Sequence, residues 1–189
     1  AGPARNSGGA IMVIGGDGEY GYLSVKFTVD GCYFYGGDGD SGGALAIYGN
    51  TTAIVKNSQF ISCNTDSPGC SNCGGAIIFQ SQSQSLLVQN CSFDGNQAGM
   101  DESGTDGTAF GGAICSSGNL EVVGSTFINN IAYPVNRTKG GGQYPWVSPG
   151  QGGAIAMMGG TLKVKGNHFK GNLPNNIAAA ADCGCASCP

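Results

Sequence analysis

The sequence predicts an all-β fold, a right-handed parallel β-helix (solenoid) of about five rungs with its variable loops on one edge. Three observations lead to this prediction. Two short motifs alternate in register five times, their internal spacing is constant, and the segments of variable length all fall at one point of the repeat. Units that recur with a period of about 20–50 residues form a stack, because each unit buries its apolar face only against its neighbours.

The first motif is Gly-Gly-Ala followed by isoleucine or leucine. Its copies are 34, 32, 37 and 41 residues apart. The residues that follow alternate between apolar and variable, as at Leu45 and Ile47, which predicts a strand with one face directed inward. The paired glycines are expected to leave room where the chain turns a crowded corner. The five copies begin at Gly8, Gly42, Gly74, Gly111 and Gly152.

The second motif is anchored on a phenylalanine that every repeat contains. Valine stands five residues before it, and an apolar residue stands seven before it, which predicts a short strand. Only glycine or asparagine stands three residues before it, which indicates a left-handed backbone turn. Equivalent side chains are then expected to stack about 4.8 Å apart. The phenylalanines are Phe34, Phe60, Phe93, Phe127 and Phe169, and the corner residues are Gly31, Asn57, Asn90, Gly124 and Gly166.

A position three residues after each phenylalanine closes the motif. It is occupied by Gly37, Cys63, Asn96, Asn130 and Asn172. The insertions before the next Gly-Gly pair are predicted at residues 38–41, 64–73, 97–110 and 131–151. A solenoid tolerates such insertions at one corner, so these loops are expected to cluster on one edge and to carry any specificity.

The chain is interpreted as a single β-helix domain over residues 1–189. The cysteine-rich segment 173–189 breaks the repeat and is predicted to form a tail or partial cap, with one helical turn at residues 177–181. Only seven residues precede the first motif, so the first rung is expected to be uncovered. A piece of a longer β-helix would have the same appearance.

The paired Gly-Gly-Ala-[Ile/Leu/Val] and Phe-x-x-Asn signatures resemble the repeats of the chlamydial polymorphic outer membrane proteins. The resemblance covers about residues 7–172. It implies a β-helical passenger region with an adhesive role. Three of the five Phe-x-x-Asn units keep the asparagine, and the N-glycosylation sequons described below are equally consistent with a eukaryotic extracellular protein.

Composition and cysteine content predict an exported protein. Nine cysteines are more than a reducing cytosol favours, and Cys63 is expected to form a loop disulfide with Cys70 or Cys73. Cys32 and Cys91 would stand two rungs apart in one column, about 9.6 Å, which is too far for a bridge. Further disulfide candidates are Cys183, Cys185 and Cys188, and the sequons lie at Asn50, Asn90 and Asn136.

Other ligands are disfavoured by the residue pattern. The net charge of −4 and the few lysine and arginine residues argue against nucleic-acid binding. The sequence contains no apolar run of 18 residues, so no membrane span is predicted. The glycine-aspartate segments 15–19 and 36–40 are interpreted as polar turns, because Ser41 stands where a calcium-binding repeat requires aspartate. Zinc binding at the Cys63 group lacks a second ligand pair. No metal and no cofactor are predicted.

The prediction for function is a non-enzymatic extracellular structural protein, a filament, sheath or wall subunit that stacks end to end with itself. A cell-surface adhesin or binding module for a surface or glycan ligand is the alternative, with Tyr133, Tyr144 and Trp146 of the longest loop as its contact residues. A carbohydrate-active enzyme is disfavoured, because no paired carboxylates stack. Asp94, the loop acids Asp101, Glu102 and Asp106, and the sole histidine His168 are interpreted as surface residues.

Overall fold

The computed structural model describes residues 9–16, 24–65, 72–81, 83–99, 109–136, 147–148 and 150–179. In these residues the chain coils through successive rungs of short strands. Rung 1 contains β1 (Ile11–Ile14), β2 (Val25–Asp30), β3 (Tyr33–Tyr35) and β4 (Asp38–Gly39). Rung 2 contains β5 (Leu45–Tyr48), β6 (Thr51–Lys56), β7 (Gln59–Ile61) and β8 (Asn64–Thr65). Rung 3 contains β9 (Ile77–Gln80), β10 (Ser85–Gln89), β11 (Ser92–Asp94) and β12 (Gln97–Ala98).

The later rungs follow the same plan. Rung 4 contains β13 (Ile114–Ser116), β14 (Asn119–Val123), β15 (Thr126–Ile128) and β16 (Ile131–Ala132). The insertion after it holds an antiparallel pair, β17 (Val135–Asn136) and β18 (Val147–Ser148). Rung 5 contains β19 (Ile155–Met157), β20 (Leu162–Lys165) and β21 (His168–Lys170), and a sixth rung begins with β22 (Ile177–Ala179). No helix occurs in the described residues, and so none there is able to cross a membrane.

Equivalent strands of successive rungs pair in parallel and build four long sheets. The first sheet has the order β1-β5-β9-β13-β19-β22, and the second has β2-β6-β10-β14-β20. The third sheet is β3-β7-β11-β15-β21, and the fourth is β4-β8-β12-β16. Because each strand pairs with its counterpart one repeat away, one repeat forms one rung, and the predicted parallel β-helix is confirmed.

Identical apolar residues stack along the core, as the repeat predicts. Val55 lies opposite Val88, and Val88 lies opposite Val122. The rings of the five phenylalanines stack nearly parallel, with centroids 4.7 to 5.0 Å apart. Phe60, Phe93 and Phe127 are completely buried, so this ladder forms the centre of the main core. Such stacking holds the register, since a slip would break every column at once.

The predicted left-handed corner is present in all five rungs. Gly31, Asn57, Asn90, Gly124 and Gly166 have φ values of 51° to 64°. A second left-handed corner, not expected from the sequence, lies two residues after each phenylalanine. It consists of Gly36, Ser62, Gly95, Asn129 and Gly171. The predominance of glycine in this column is the signal that could have revealed it.

Two boundaries differ from the prediction. The first two residues of the predicted insertions are not loops, because they are the strands of the fourth sheet, from β4 to β16. The predicted helical turn at residues 177–181 is wrong over residues 177–179, because Ile177 lies opposite Ile155 as a parallel strand. The half-buried Ile177 packs against the main core, so continuing the sheet buries apolar surface there.

The outer face of the first sheet is covered by the ends of two insertions. Cys73 and Phe110 join Ile78 and Cys115 in a second apolar cluster on this face. Cys73 also forms a parallel bridge with Phe110, so consecutive insertions return to the body in the same way. The returning ends of these insertions therefore lie side by side on the first sheet.

Candidate functional site

An asparagine ladder runs through the body beside the phenylalanine stack. Asn96, Asn130 and Asn172 are buried. Asn130 Oδ1 accepts hydrogen bonds from Asn96 N at 3.1 Å and from Asn96 Nδ2 at 2.8 Å. Asn130 Nδ2 donates to the carbonyl oxygen of Phe93 at 3.1 Å. Each side chain thus satisfies backbone groups of the preceding rung, which makes the ladder a structural element and not a reactive one.

A second inward column, which the sequence motifs did not predict, lies two residues before each phenylalanine. Its members are small or polar, namely Cys32, Ser58, Cys91, Ser125 and Asn167. Cys32 N donates to Ser58 Oγ and Cys91 N donates to Ser125 Oγ, both at 3.1 Å. The Cys91 thiol lies 3.5 Å from the carbonyl oxygen of Val55. Cysteine and serine therefore have the same structural role. Their alternation from rung to rung was the signal from which this column could have been predicted.

An open polar groove lies at the corner between the second and third sheets. This corner groove measures about 420 Å³. The residues that line it come from rungs 2, 3 and 4, and no charged residue is among them. They are Asn57, Ser58, Gln59, Asn90, Cys91, Ser92, Gly124 and Thr126. Its chemistry is that of neutral amides and hydroxyls.

The rung 1 end of the body exposes aromatic residues and carboxylates. Tyr33 and Tyr35 are 62 % and 69 % exposed, and their parallel rings lie 6.4 Å apart. Asp30 Oδ1 accepts a hydrogen bond from Asn57 Nδ2 at 2.8 Å, and Asp30 Oδ2 lies 3.1 Å from Lys56 Nζ. The hydrogen bonds from Asn57 and Lys56 lower the pKa of the Asp30 carboxyl. Asp30 is therefore ionised at neutral pH.

The rung 5 end is basic in the second and third sheets. Lys165 ends β20, Lys170 ends β21, and both side chains are exposed. Val164, which precedes Lys165 on β20, is 46 % exposed, although its equivalents Val88 and Val122 are completely buried. The two ends of the described body therefore differ in charge and share half-exposed core columns.

Comparison with known families agrees with this geometry. The sequence matches the family described as "right handed beta helix region" over residues 4–186. The chain belongs to the right-handed β-helix family. No curated protein and no solved structure matches it. The family match supports a β-helix repeat protein and does not extend to the chlamydial polymorphic outer membrane proteins.

The cysteines of this β-helix differ from the expected arrangement. Cys63 and Cys73 carry free thiols, so the expected loop disulfide from Cys63 is absent. The two side chains point to different sides of the coil. Cys63 occupies the asparagine column in the main core, with its sulfur 3.7 Å from the Ile61 carbonyl oxygen. Cys73 packs on the outer face of the first sheet. Cys32 and Cys91 also carry free thiols. Cys70, Cys183, Cys185 and Cys188 lie outside the described residues.

Burial makes two of these thiols unreactive. Desolvation raises the pKa of the Cys63 and Cys91 thiols. Both groups are therefore protonated at neutral pH, and a protonated thiol is a poor nucleophile and a poor metal ligand. The described residues of the β-helix contain no cluster of three or more histidine, cysteine, aspartate or glutamate side chains suited to a metal ion.

Thiol labelling of the native protein tests this placement. Among the five described cysteines, we expect rapid alkylation of Cys32, which is exposed, and protection of Cys63, Cys73, Cys91 and Cys115, which are buried. Peptide mass mapping after a short pulse measures each site, and a urea-unfolded sample provides the control. Labelling of Cys91 as fast as Cys32 would contradict the inward column.

The predicted surface residues lie where the repeat places them. His168 is exposed on β21, opposite Thr126. Asp94 is half-buried on β11, between the outward-facing Ile61 and Ile128. Asp101, Glu102 and Asp106 lie outside the described residues. Asp38 belongs to strand β4, which pairs with β8, so the second glycine-aspartate segment forms part of the fourth sheet.

The three sequons have different surroundings. Asn90 is exposed at its left-handed corner. Asn50 is half-buried, and its Oδ1 accepts a hydrogen bond from Gln84 Nε2 at 2.5 Å. Asn136 belongs to β17. Of the predicted contact residues, Tyr133 is half-buried, and Tyr144 and Trp146 lie outside the described residues. Right-handed β-helices include enzymes and non-enzymes, so membership of this family does not assign an activity.

Proposed function

We propose that this protein is a non-catalytic, exported structural β-helix that assembles end to end with copies of itself. The observation that carries the proposal is the match between the two ends of the second and third sheets. The core columns reach each end partly uncovered, with Phe34 half-buried in rung 1 and Phe169 half-buried in rung 5. Strand edges of this kind offer unpaired backbone groups to another strand.

The outer columns of the two ends are complementary in charge. Along one column of the second sheet Asp30 lies opposite Lys56, and Lys165 occupies the same column in rung 5. If rung 1 of one copy follows rung 5 of another, Lys165 meets Asp30 and repeats the Asp30–Lys56 contact. In the third sheet Lys170 then meets the exposed ring of Tyr35, which favours a cation–π contact.

The first sheet restricts the joint, that is, the contact between rung 5 of one copy and rung 1 of the next. β22 already extends that sheet one strand beyond β20 and β21. When the second and third sheets continue directly into a second copy, β1 of that copy claims the place of β22. One of these short strands must therefore detach before the joint closes. The contact joins different surfaces of the two copies, so it repeats without closing and produces a fibre.

Charge reversal at the joint tests the proposal. We expect light scattering and negative-stain microscopy of the concentrated protein, under oxidising conditions, to show end-to-end oligomers. The double variant Lys165→Glu/Lys170→Glu should shift them to monomers, because it places like charge near Asp30. Gln89→Glu adds negative charge to the same outer column in rung 3 and serves as the matched control, with assembly unchanged.

Two further results refine the same experiment. Ile177→Asp places a carboxylate at a half-buried core position and should release β22, so it should increase assembly if β22 competes with β1. A wild-type protein that stays a monodisperse monomer at high concentration would contradict end-to-end assembly. That result would favour the alternative, a surface binding module.

A further inference from the structure

The lining of the corner groove offers hydrogen-bonding groups that the protein itself leaves unused. Gln59, Ser92 and Thr126 occupy one outward column of the third sheet. Neither their side chains nor that of Asn90 has a hydrogen-bond partner among the described residues. Neutral amides and hydroxyls at this density suit an uncharged ligand with many hydroxyl groups better than an anion or a metal ion.

The groove exists because the corner column changes residue type. Asn57, Asn90 and Gly124 occupy the same corner in rungs 2, 3 and 4. Asn57 leans towards rung 1, where its Nδ2 bonds Asp30. Asn90 leans towards rung 4, since a Cβ atom at Gly124 would lie 2.8 Å from Asn90 Oδ1. The two side chains thus diverge and leave open space between them, with the Asn90 amide at its border.

Asn90 is also the first residue of the sequon Asn90-Cys91-Ser92. We propose that Asn90 carries an N-linked saccharide whose first sugar lies in the corner groove and bonds Gln59, Ser92 and Thr126. The bond forms between Asn90 Nδ2 and the anomeric carbon of a saccharide carried on a lipid pyrophosphate. The amide loses a proton, and the lipid pyrophosphate leaves.

The contrast with Asn50 makes the assignment specific. The Asn50 side chain is engaged by Gln84, and the hydroxyl of the sequon residue Thr52 donates to Gln84 Oε1 at 2.7 Å. A glycan at Asn50 would have to displace this pair, whereas the corner groove is open. The inference rests on the exported location in the proposed function and is independent of end-to-end assembly.

The test uses the full chain secreted from a glycosylating eukaryotic host, in an Asn50→Gln/Asn136→Gln background. Only Asn90 among the three sequons can then be modified. The same chain from a bacterial host is the unglycosylated reference. We expect glycopeptide mass spectrometry to find Asn90 occupied and Tm to rise by about 2–4 °C, the shift typical of one additional net hydrogen bond in a chain of this size. Trimming to one N-acetylglucosamine should preserve the increase.

The contact between the sugar and the corner groove is tested by removing one groove hydroxyl. Thr126→Val should reduce the difference in Tm between the two forms, whereas Thr28→Val, an equivalent change on the exposed face of β2, should leave it unchanged. An unmodified Asn90, or an occupied Asn90 whose effect on Tm is the same in Thr126→Val, would overturn the proposal. If Asn90 is unmodified and oligomers still form, the proposal of a glycan in the corner groove is wrong, whereas the proposal of end-to-end assembly is unaffected.

Discussion

Replacement of Asn130 by leucine is expected to lower the free energy of unfolding by about 2–6 kcal/mol, because it removes four buried hydrogen bonds of the Asn130 side chain. Asn96 N and Asn96 Nδ2 lose their acceptor, Asn130 Oδ1, and the Phe93 carbonyl loses the bond from Asn130 Nδ2. The ladder also loses the contact between Asn130 Nδ2 and Asn172 Oδ1 at 2.9 Å. Leucine fills the space but replaces none of these bonds.

Urea unfolding followed by circular dichroism measures this effect. The matched control is Asn129→Gly, the adjacent asparagine, which is exposed with φ of 53° in a column where the other rungs have mainly glycine. That change should stay within about 0.5 kcal/mol of the wild type. A leucine variant as stable as the control would show that the ladder contributes no net stability.

Replacement of Gly112 by alanine is expected to cost about 3 kcal/mol or more, the upper range for overpacking, because a Cβ atom there would meet backbone and not movable side chains. The added atom would overlap the Gly153 carbonyl oxygen and lie 2.5 Å from Ile131 N. Rungs 4 and 5 would have to separate. The second glycine of the Gly-Gly-Ala motif is therefore required for the close approach of successive turns of the chain.

Gly31→Asn is the control that separates the effect of a steric clash with an added Cβ atom from the effect of a left-handed backbone. Gly31 has φ of 63° with no atom within 4 Å of an added Cβ, and asparagine occupies the same corner at Asn57 and Asn90. We expect a change of at most about 0.5 kcal/mol in urea unfolding. If Gly112→Ala were equally mild, close packing of the rungs would not explain the motif.

The stacked columns were predictable because each residue of a β-helix packs against its own counterpart in the next repeat. The valine and phenylalanine columns, and the corner at Asn57 and Asn90, follow directly from constant spacing within the repeat. The second left-handed corner and the cysteine-serine column were equally encoded. They were missed because their residue types vary, although Cys91 and Ser125 meet the same backbone need.

Cysteine pairing and the corner groove could not be predicted in this way. Sequence proximity suggested a bridge from Cys63, but in the coil Cys63 points into the core, and Cys73 lies on the outer face of the first sheet. The groove combines residues from three rungs, and it depends on the opposite directions in which Asn57 and Asn90 lean. Because the outward-facing residues differ from rung to rung, the repeat does not specify the direction in which their side chains point.

The sequence by itself determined the fold, the register of one repeat per rung and the inward ladders, since those contacts join equivalent positions of a repeating chain. Only the tertiary structure decided that residues 177–179 form a sixth strand of the first sheet, that Cys63 and Cys73 remain free, and that Asn57 and Asn90 lean in opposite directions at the corner. These features depend on the geometry of the ends and of the outer faces. There a residue meets solvent or a non-equivalent neighbour, so the periodicity of the repeat no longer specifies its contacts.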